Sequence, residues 1–371
     1  MKKVLIKLLK SSNNNMVGID VGLSTIKVME VSGSSLEDVV LEGYATVPIP
    51  QDLIDENGRY KEEGISIISK LVHKCWKKAG CTSKNVTICI KSNNVITKKA
   101  IIPNFAEKDD LKTAIEAEMS KYITNDISIE DLAIDYCKIA DSELNPNESE
   151  MLLIASKKDA IEELQAIIEG AGLEADILDV ETFAFQNLLR LMKDEDFLTG
   201  TYILADCAAS ILRMFAFVNG NLVGTKETQI GGLNLTQDLV NNLGVSFDVA
   251  EKMKIERSGD ETYDLIEKSF VNNYKTEFLS ILSYFTSAIS LGDIDEVILT
   301  GGVASIPFLE KAIIEGLLES LDVVVKSEPY VARPLENAGK SKAINIAKFT
   351  EDEPGLFLVT SLALRKYLRK F

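Results

Sequence analysis

The sequence predicts an α/β protein in which one strand-rich unit occurs twice, with a small α+β block set into the first copy. Three observations carry this. The stretch "VGIDVGLSTIKVMEV" (residues 17–31) runs strand, lone acid, glycine, strand, and "YILADCAASILRMFAFV" (202–218) repeats strand, acid, small residues, strand; such recurrence within one chain points to a duplicated unit. Between the copies, residues 93–172 alternate strand and helix with apolar stripes of their own. Towards the end, "DEVILTGGVASIPFLEKAIIEGL" (295–317) reads as a buried strand that turns through paired glycines into a helix.

Taken in order, "MVGIDVG", "TIKVMEVSG" and "SLEDVVLEGYATVPI" have the β-branched, partly alternating character of strands. "EEGISIISKLVHKCWKKAG" is a helix, with lysines in its last turn and Gly80 as its stop, and "NVTICIKS" is the next strand. The second block gives strand "NVITKKAIIP", helix "EKDDLKTAIEAEMSKYI", strand "DLAIDYCKIA", polar turn "DSELNPNESE", strand "MLLIASKK" and helix "DAIEELQAIIEGAG". Leu111, Ala114, Ile115, Met119 and Tyr122 recur at helical spacing in the first helix, and Ile161, Leu164, Ile167 and Ile168 in the second, which marks both as core faces. A helix at 181–192 precedes the second strand run, where Asn219-Gly220 signals a hairpin. Helices follow from about Leu233 to Leu291, and "EPGLFLVTSLALRKYLRKF" is a final amphipathic helix whose stripe of Leu358, Leu362 and Ala363 faces inward.

Composition excludes several classes of function. A net charge of −17 argues against nucleic acid, whose phosphates need a clustered basic surface. Five cysteines without a C-x-x-C pair, and a single histidine, His73, leave no zinc site or histidine-activated nucleophile and read as reduced thiols. No apolar run is long enough to span a bilayer, and residues 1–15 read as a flexible basic leader, not as a signal peptide.

The chemistry concentrates at the two acids. A glycine after a strand-ending aspartate lets the chain turn tightly, so that backbone N–H groups and the Ser24 hydroxyl face a phosphate. Asp20 would hold a divalent cation through water, and Lys27 would neutralise phosphate charge. Alone, this segment reads equally well as an ordinary hairpin. Asp206 at the matching place in the second copy, and Gly301 and Gly302 as a site of close approach to a nucleotide, shift the balance towards a nucleotide site. One departure stands out: where glycine would ease the second turn, the chain has Cys207-Ala208-Ala209-Ser210, and a Cβ at a position of positive φ or close phosphate contact carries strain.

These residues carry a resemblance. "GIDVGLSTIK", "LADCAAS" and "LTGGVASIP" are similar to the two phosphate motifs and the adenosine motif of the actin, DnaK-chaperone and sugar-kinase ATPase superfamily. More closely, "VITKKAIIP", "EAEMSKYI", "ILDVETFAFQNLL", "IGGLNLTQDL", "AEKMK" and "SLALR" resemble the PilM family, the FtsA-like proteins of type IV pilus assembly, over almost the whole chain. The resemblance implies an actin-like, ribonuclease H-like duplicated fold of two lobes with an FtsA-type inserted subdomain. The lobes would be 16–92 continued by 173–200 and 355–371, and 201–354; the insertion would be 93–172. It implies ATP and Mg2+ between the lobes, with Gly22, Ser24, Thr25, Lys27, Ala208, Ala209, Gly231, Gly232, Glu251, Lys254, Gly301 and Gly302 on the nucleotide and Asp20 and Asp206 on the metal through water. Glu251 and Lys254 read locally as an exposed i,i+3 ion pair as well. Asp179 and Glu181 would position a hydrolytic water, or serve as acids favoured at a helix start. The altered second turn points to nucleotide binding with slow or absent hydrolysis.

The function so implied is that of a cytoplasmic scaffold, peripheral at the inner face of the cell membrane, that binds the cytoplasmic N-terminal peptide of a PilN-like membrane protein and couples it to pilus motor components. The peptide would enter a groove between the first lobe and the insertion, around "VITKKAIIP" and the helix after it. The alternatives are an FtsA-like filament protein that reaches membrane through "LALRKYLRKF" and, less in keeping with the altered second turn, a small-molecule kinase.

Overall fold

A computed structural model describes residues 15–55, 59–105, 107–123, 127–142, 145–257, 261–319 and 324–368. Of the leader at 1–15, only Asn15 falls within these. The chain divides into two units, one comprising residues up to Phe185 together with those from Ser361 on, the other Gln186–Thr360.

In the first unit the opening strands form an antiparallel meander of β1 (Met16–Val21), β2 (Thr25–Ser32) and β3 (Val40–Pro48). The alternating exposure of β3 shows one face on the core and one towards solvent. Helix α1 (Ile65–Lys78) then leads to β4 (Asn85–Ile90), which lies parallel to β1. The chain departs into β5 (Val95–Pro103), α2 (Lys108–Met119), β6 (Leu132–Asp141) and β7 (Glu148–Lys157), and returns through α3 (Lys158–Gly170) to β8 (Glu174–Val180), parallel to β4. Within the first unit the strand order is β3-β2-β1-β4-β8. β8 was not foreseen from the sequence, because "EADILDV" is only half-buried and lacks an apolar run.

The excursion forms an antiparallel sheet of order β5-β7-β6 with α2 upon it. Ile102, Ile115, Met119, Leu132, Met151 and Leu153 make its core. Packing draws the limits of this subdomain more tightly than the expected 93–172. Helix α3 buries Ile167 and Ile168 against Ile68 and Val72 of α1, in the core of the first sheet. Full burial of one such side chain contributes roughly 1.5–3 kcal/mol, so α3 belongs energetically to that sheet. Helix α4 (Glu181–Lys193) follows β8 directly.

The second unit repeats the sheet. β9 (Thr201–Cys207), β10 (Leu212–Val218) and β11 (Asn221–Thr228) form an antiparallel meander; Asn219 and Gly220, with φ of 49° and 76°, make the turn of the left-handed kind such hairpins favour. Helices α5 (Gly232–Leu243), α6 (Phe247–Glu256) and α7 (Glu261–Ala288) precede β12 (Glu296–Thr300), which lies parallel to β9. Helix α8 (Leu309–Glu319) and β13 (Tyr330–Val331) complete the order β11-β10-β9-β12-β13, the same plan as the first sheet. Tyr263, Phe270, Tyr274, Phe278 and Phe285 of α7 fill the core against the sheet. Helix α9 (Ile346–Asp352) and helix α10 (Phe357–Leu364) end the described chain.

α10 is buried on all sides, including Thr360 and Ser361. The Ser361 hydroxyl donates to Ala184 O at 2.6 Å, and Tyr367 Oη donates to Gly33 O at 2.6 Å. Up to residue 368, then, the C-terminal segment is fixed into the first unit and does not form a free amphipathic tail. Among the described residues no helix is long and apolar enough to cross a membrane.

Candidate functional site

Both hairpins end in the same turn. Gly22 N–H donates to Thr25 O at 3.0 Å, and Ala208 N–H donates to Ile211 O at 3.0 Å. In each, the acid stands two residues before the turn and faces a cation across the ladder, Asp20 opposite Lys27 and Asp206 opposite Arg213. Among the described residues, the amides of Leu23 and Ser24 in the first turn and of Ala209 and Ser210 in the second have no protein acceptor. Two successive amides on a tight turn are the kind of cradle that holds a phosphate oxygen.

The first site is built on charge. Asp20 is 4 % exposed, yet its carboxylate meets two ammonium groups, Lys91 Nζ at 3.2 Å and Lys27 Nζ at 3.6 Å. Lys91 also reaches Glu181 Oε1 at 3.1 Å, and Ser92 N–H donates to Glu181 Oε2 at 3.1 Å. Asp20, Lys91 and Glu181 all stand at the carboxyl ends of neighbouring parallel strands, β1, β4 and β8, where open α/β sheets place their ligands. Burial alone would lower the Lys91 pKa, but the Asp20 and Glu181 carboxylates outweigh it and hold it well above the ordinary lysine value. Lys91 is the residue that sequence reasoning missed. Its only signal was a cation directly after the buried strand "NVTICI", which becomes meaningful once β4 is known to lie beside β1. The half-buried Tyr60 braces the turn, its hydroxyl bonding to Val21 O at 3.0 Å and Gly22 O at 2.9 Å.

Asp179 and Glu181 part company. Asp179 pairs with Arg365 at 2.6 Å, so it anchors the residue after α10 and is not available to a hydrolytic water. Burial raises its pKa despite that guanidinium. Glu181 remains with the Asp20 group.

The second site is built on backbone contact. A Cβ on Gly231 would fall 2.4 Å from Ala209 O, and one on Gly301, whose φ is +90°, would fall 2.3 Å from Cys207 O. Gly232 N–H donates to Ala208 O at 3.2 Å and Leu233 N–H to Ala209 O at 2.7 Å. These two glycines are thus required for packing against the second turn, and the first amides of α5 are already taken by that turn. Gly302 differs: a Cβ there would meet nothing within 4 Å. Lys254 Nζ donates to Gly232 O at 3.1 Å, to Thr236 Oγ1 at 2.7 Å and to Glu251 Oε1 at 2.5 Å. Its three donors are all engaged, tying α6 to the start of α5; the i,i+3 ion pair with Glu251 read from the sequence is present and partly buried. Asp206, Ala208, Ala209, Gly231, Gly232, Glu251, Lys254, Gly301 and Gly302 therefore assemble within one unit.

The strain expected at Cys207-Ala208-Ala209-Ser210 is absent, since none of the four has positive φ. Alanine fits because this turn stays in ordinary backbone space. Burial pushes the Cys207 thiol up to about 12.

Among the described residues no cluster of three or more acids, histidines or cysteines could hold a metal by itself. Asp20, Glu181, Lys27 and Lys91 already balance one another in charge. The donor set thus fits a cation that arrives with its phosphates and keeps water, as Mg2+ does, and not one caged by protein.

A cavity of about 300 Å³ opens separately, in the three-stranded subdomain. Ile102, Phe105, Leu111, Tyr136 and Met151 line it, with Asn104 and Ser149 at its polar side. It spans the end of "VITKKAIIP" and the start of α2.

Comparison with known proteins settles the family. The family model described as type IV pilus assembly protein PilM matches residues 18–367. The chain belongs to the PilM family of type IV pilus assembly proteins. Among solved structures it is similar to one titled PilM-PilN type IV pilus biogenesis complex, with 19 % identity, 95 % of this chain and 99 % of that chain covered, and a TM-score of 0.75. It is also similar to the ethanolamine utilization protein EutJ from Carboxydothermus hydrogenoformans, with 14 % identity, 96 % and 91 % covered, and a TM-score of 0.54. At these identities the likeness concerns the fold, which is actin-like, as the sequence motifs implied.

Proposed function

We propose that this chain is an ATP-binding scaffold of the pilus assembly machine, working at the inner face of the cell membrane by holding the cytoplasmic N-terminal peptide of a PilN-like membrane protein. Family membership over residues 18–367 carries the reading. The PilN-like partner is supported by the similar complex, and the apolar cavity beside Phe105 and Tyr136, at the end of "VITKKAIIP", would receive an anchoring side chain of the peptide.

The nucleotide part rests on the duplicated turn. The amides of Leu23, Ser24, Ala209 and Ser210 would take phosphate oxygens, and Lys27 and Lys91 would meet their charge. Asp20 and Asp206 would hold Mg2+ through water, and the open side of Gly302 would receive the nucleoside. Bound Mg2+ would supply charge neutralisation across the phosphates. Hydrolysis is expected to be slow, because the Ser92 amide engages Glu181 Oε2 at 3.1 Å and leaves that carboxylate a poor candidate for activating water.

The test is a pull-down with the partner's N-terminal peptide, using wild type and Asp20→Ala with and without ATP and Mg2+. Wild type should retain the peptide and the variant should lose any nucleotide dependence. Retention of no peptide under any condition would remove the scaffold reading; steady phosphate release stimulated by a sugar would favour a kinase instead.

A further inference from the structure

Lys91 and Ser92 do two things at once. They close the first phosphate site, and they are the entry to the three-stranded subdomain, since β4 ends at Ile90 and β5 begins at Val95. Lys91 Nζ joins Asp20 to Glu181, and Ser92 contributes its amide to Glu181 and its hydroxyl to Thr182 Oγ1 at 2.5 Å. The exit from the subdomain is different in kind. β7 runs without a loop into α3, whose Ile167 and Ile168 are fixed in the first sheet's core. The Ser156 hydroxyl, at the end of β7, donates to Asn94 O at 2.8 Å, so that entry and exit are joined. The soft joint is therefore the entry, held by charge, while the exit is held by packing.

We propose that the Lys91-Ser92 junction couples nucleotide loading to the three-stranded subdomain: Lys91 leaves its carboxylates when a metal–nucleotide binds, and β5 and β7 move with it. The physical cause is competition. Two carboxylates and two ammonium groups balance in the present arrangement. A divalent cation competes with Lys91 for Asp20, and phosphate oxygens compete with Asp20 and Glu181 for Lys91. The bridge cannot keep all its contacts, and the chain leading into β5 changes its tether to α4. Because Asn94 is bonded to Ser156, a shift at the entry reaches β7, whose Met151 lines the cavity. Coupling of this sort is reciprocal, so whatever fills the cavity alters nucleotide affinity by the same factor. Lys91 acts here as a positioning residue.

The inference rests on the reading that nucleotide binds at these hairpins, and the experiment separates the two. Binding of a fluorescent ATP analogue with Mg2+ is measured on the full chain, together with hydrogen exchange of peptides from residues 92–105 and 148–157 with and without the analogue. Wild type should bind and change its exchange in both segments by about fivefold or more, the range of ordinary allosteric coupling. Measured at analogue concentrations that saturate each variant, Lys91→Met, which binds more weakly for want of its ammonium group, should reduce that change to near nothing, and Thr182→Val, which removes only the hydroxyl partner of Ser92, should reduce it in part. Binding by wild type with no exchange change in either segment overturns the inference and leaves the nucleotide reading standing. So does an undiminished change in Lys91→Met, or in Thr182→Val if the first variant fails to fold or to bind. No binding by wild type overturns both.

Discussion

The two hairpins share a turn, a register and a sheet order, yet they are held in opposite ways. Around Asp20 the support is electrostatic: Lys27, Lys91 and Glu181 balance one another, and Tyr60 braces the turn from below. Around Asp206 the support is steric, with Gly231 and Gly301 in contact with the backbone of residues 207–209. Duplication has preserved the backbone, while the surroundings have diverged. A charge-held site can respond to a charged ligand. A site held by backbone contact is a fixed platform, since close-packed interiors deform little.

The sharpest way to break this contrast is to add one methyl group to each turn region. Gly301→Ala combines left-handed φ with a Cβ 2.3 Å from Cys207 O, and should cost roughly 4 kcal/mol or more, enough to unfold the second unit first. Gly22→Ala meets a single atom, Thr25 O, at 2.9 Å and needs no left-handed φ, so it should cost about 1–2 kcal/mol. Urea titration of both variants measures the difference; equal losses would show that the two turns are supported alike.

Charge removal should give the reverse order. Asp20→Asn leaves two lysines around a neutral amide that is almost fully buried, and about 2–3 kcal/mol of stability should go with it. Asp206 is only partly buried, and the cation facing it, Arg213, keeps Glu227 as a partner, so Asp206→Asn should cost less, about 1 kcal/mol. Thermal melts of the pair at low salt decide the point.

Much of this was legible before the fold was known, for identifiable reasons. The strand-acid-turn-strand words and the Asn219-Gly220 hairpin are local, and local signals fix turns and registers. Of the paired glycines, Gly301 also comes close to Cys207 O, a contact made across two parallel strands that no local pattern contains. Lys91 was hidden for the same reason, since β1 and β4 are neighbours only after a crossover through α1. Asp179 shows the converse. The family resemblance suggested chemistry for it, and its partner, Arg365, lies almost at the other end of the chain. β8 escaped because a half-buried strand carries little apolar periodicity.

The electrostatic side of the contrast can be sharpened by pH. The Lys91 pKa is raised in the folded protein above the ordinary value of 10.5. A cation with a raised folded pKa contributes stability that is fully present below 10.5 and is lost as pH rises through the folded value. The stability difference between wild type and Lys91→Met should therefore stay constant from neutral pH up to about 10.5 and shrink only above it. Chemical denaturation at a series of pH values tests this; a difference that changes around neutrality would place the controlling charge elsewhere.

The smallest effect should come from Ala208→Gly, and its smallness is informative. If the alanine strained the second turn, glycine would relieve it, raising stability and restoring phosphate handling. The backbone from 207 to 210 has no positive φ, so there is no strain to relieve. The substitution should instead lower stability by up to about 1 kcal/mol, through the added freedom of the unfolded chain, and leave phosphate release unchanged. A rise in turnover would mean that the Ala208 Cβ itself crowds a phosphate. In that event the limit on hydrolysis would lie at the second hairpin and not at the engaged carboxylate of Glu181 in the first.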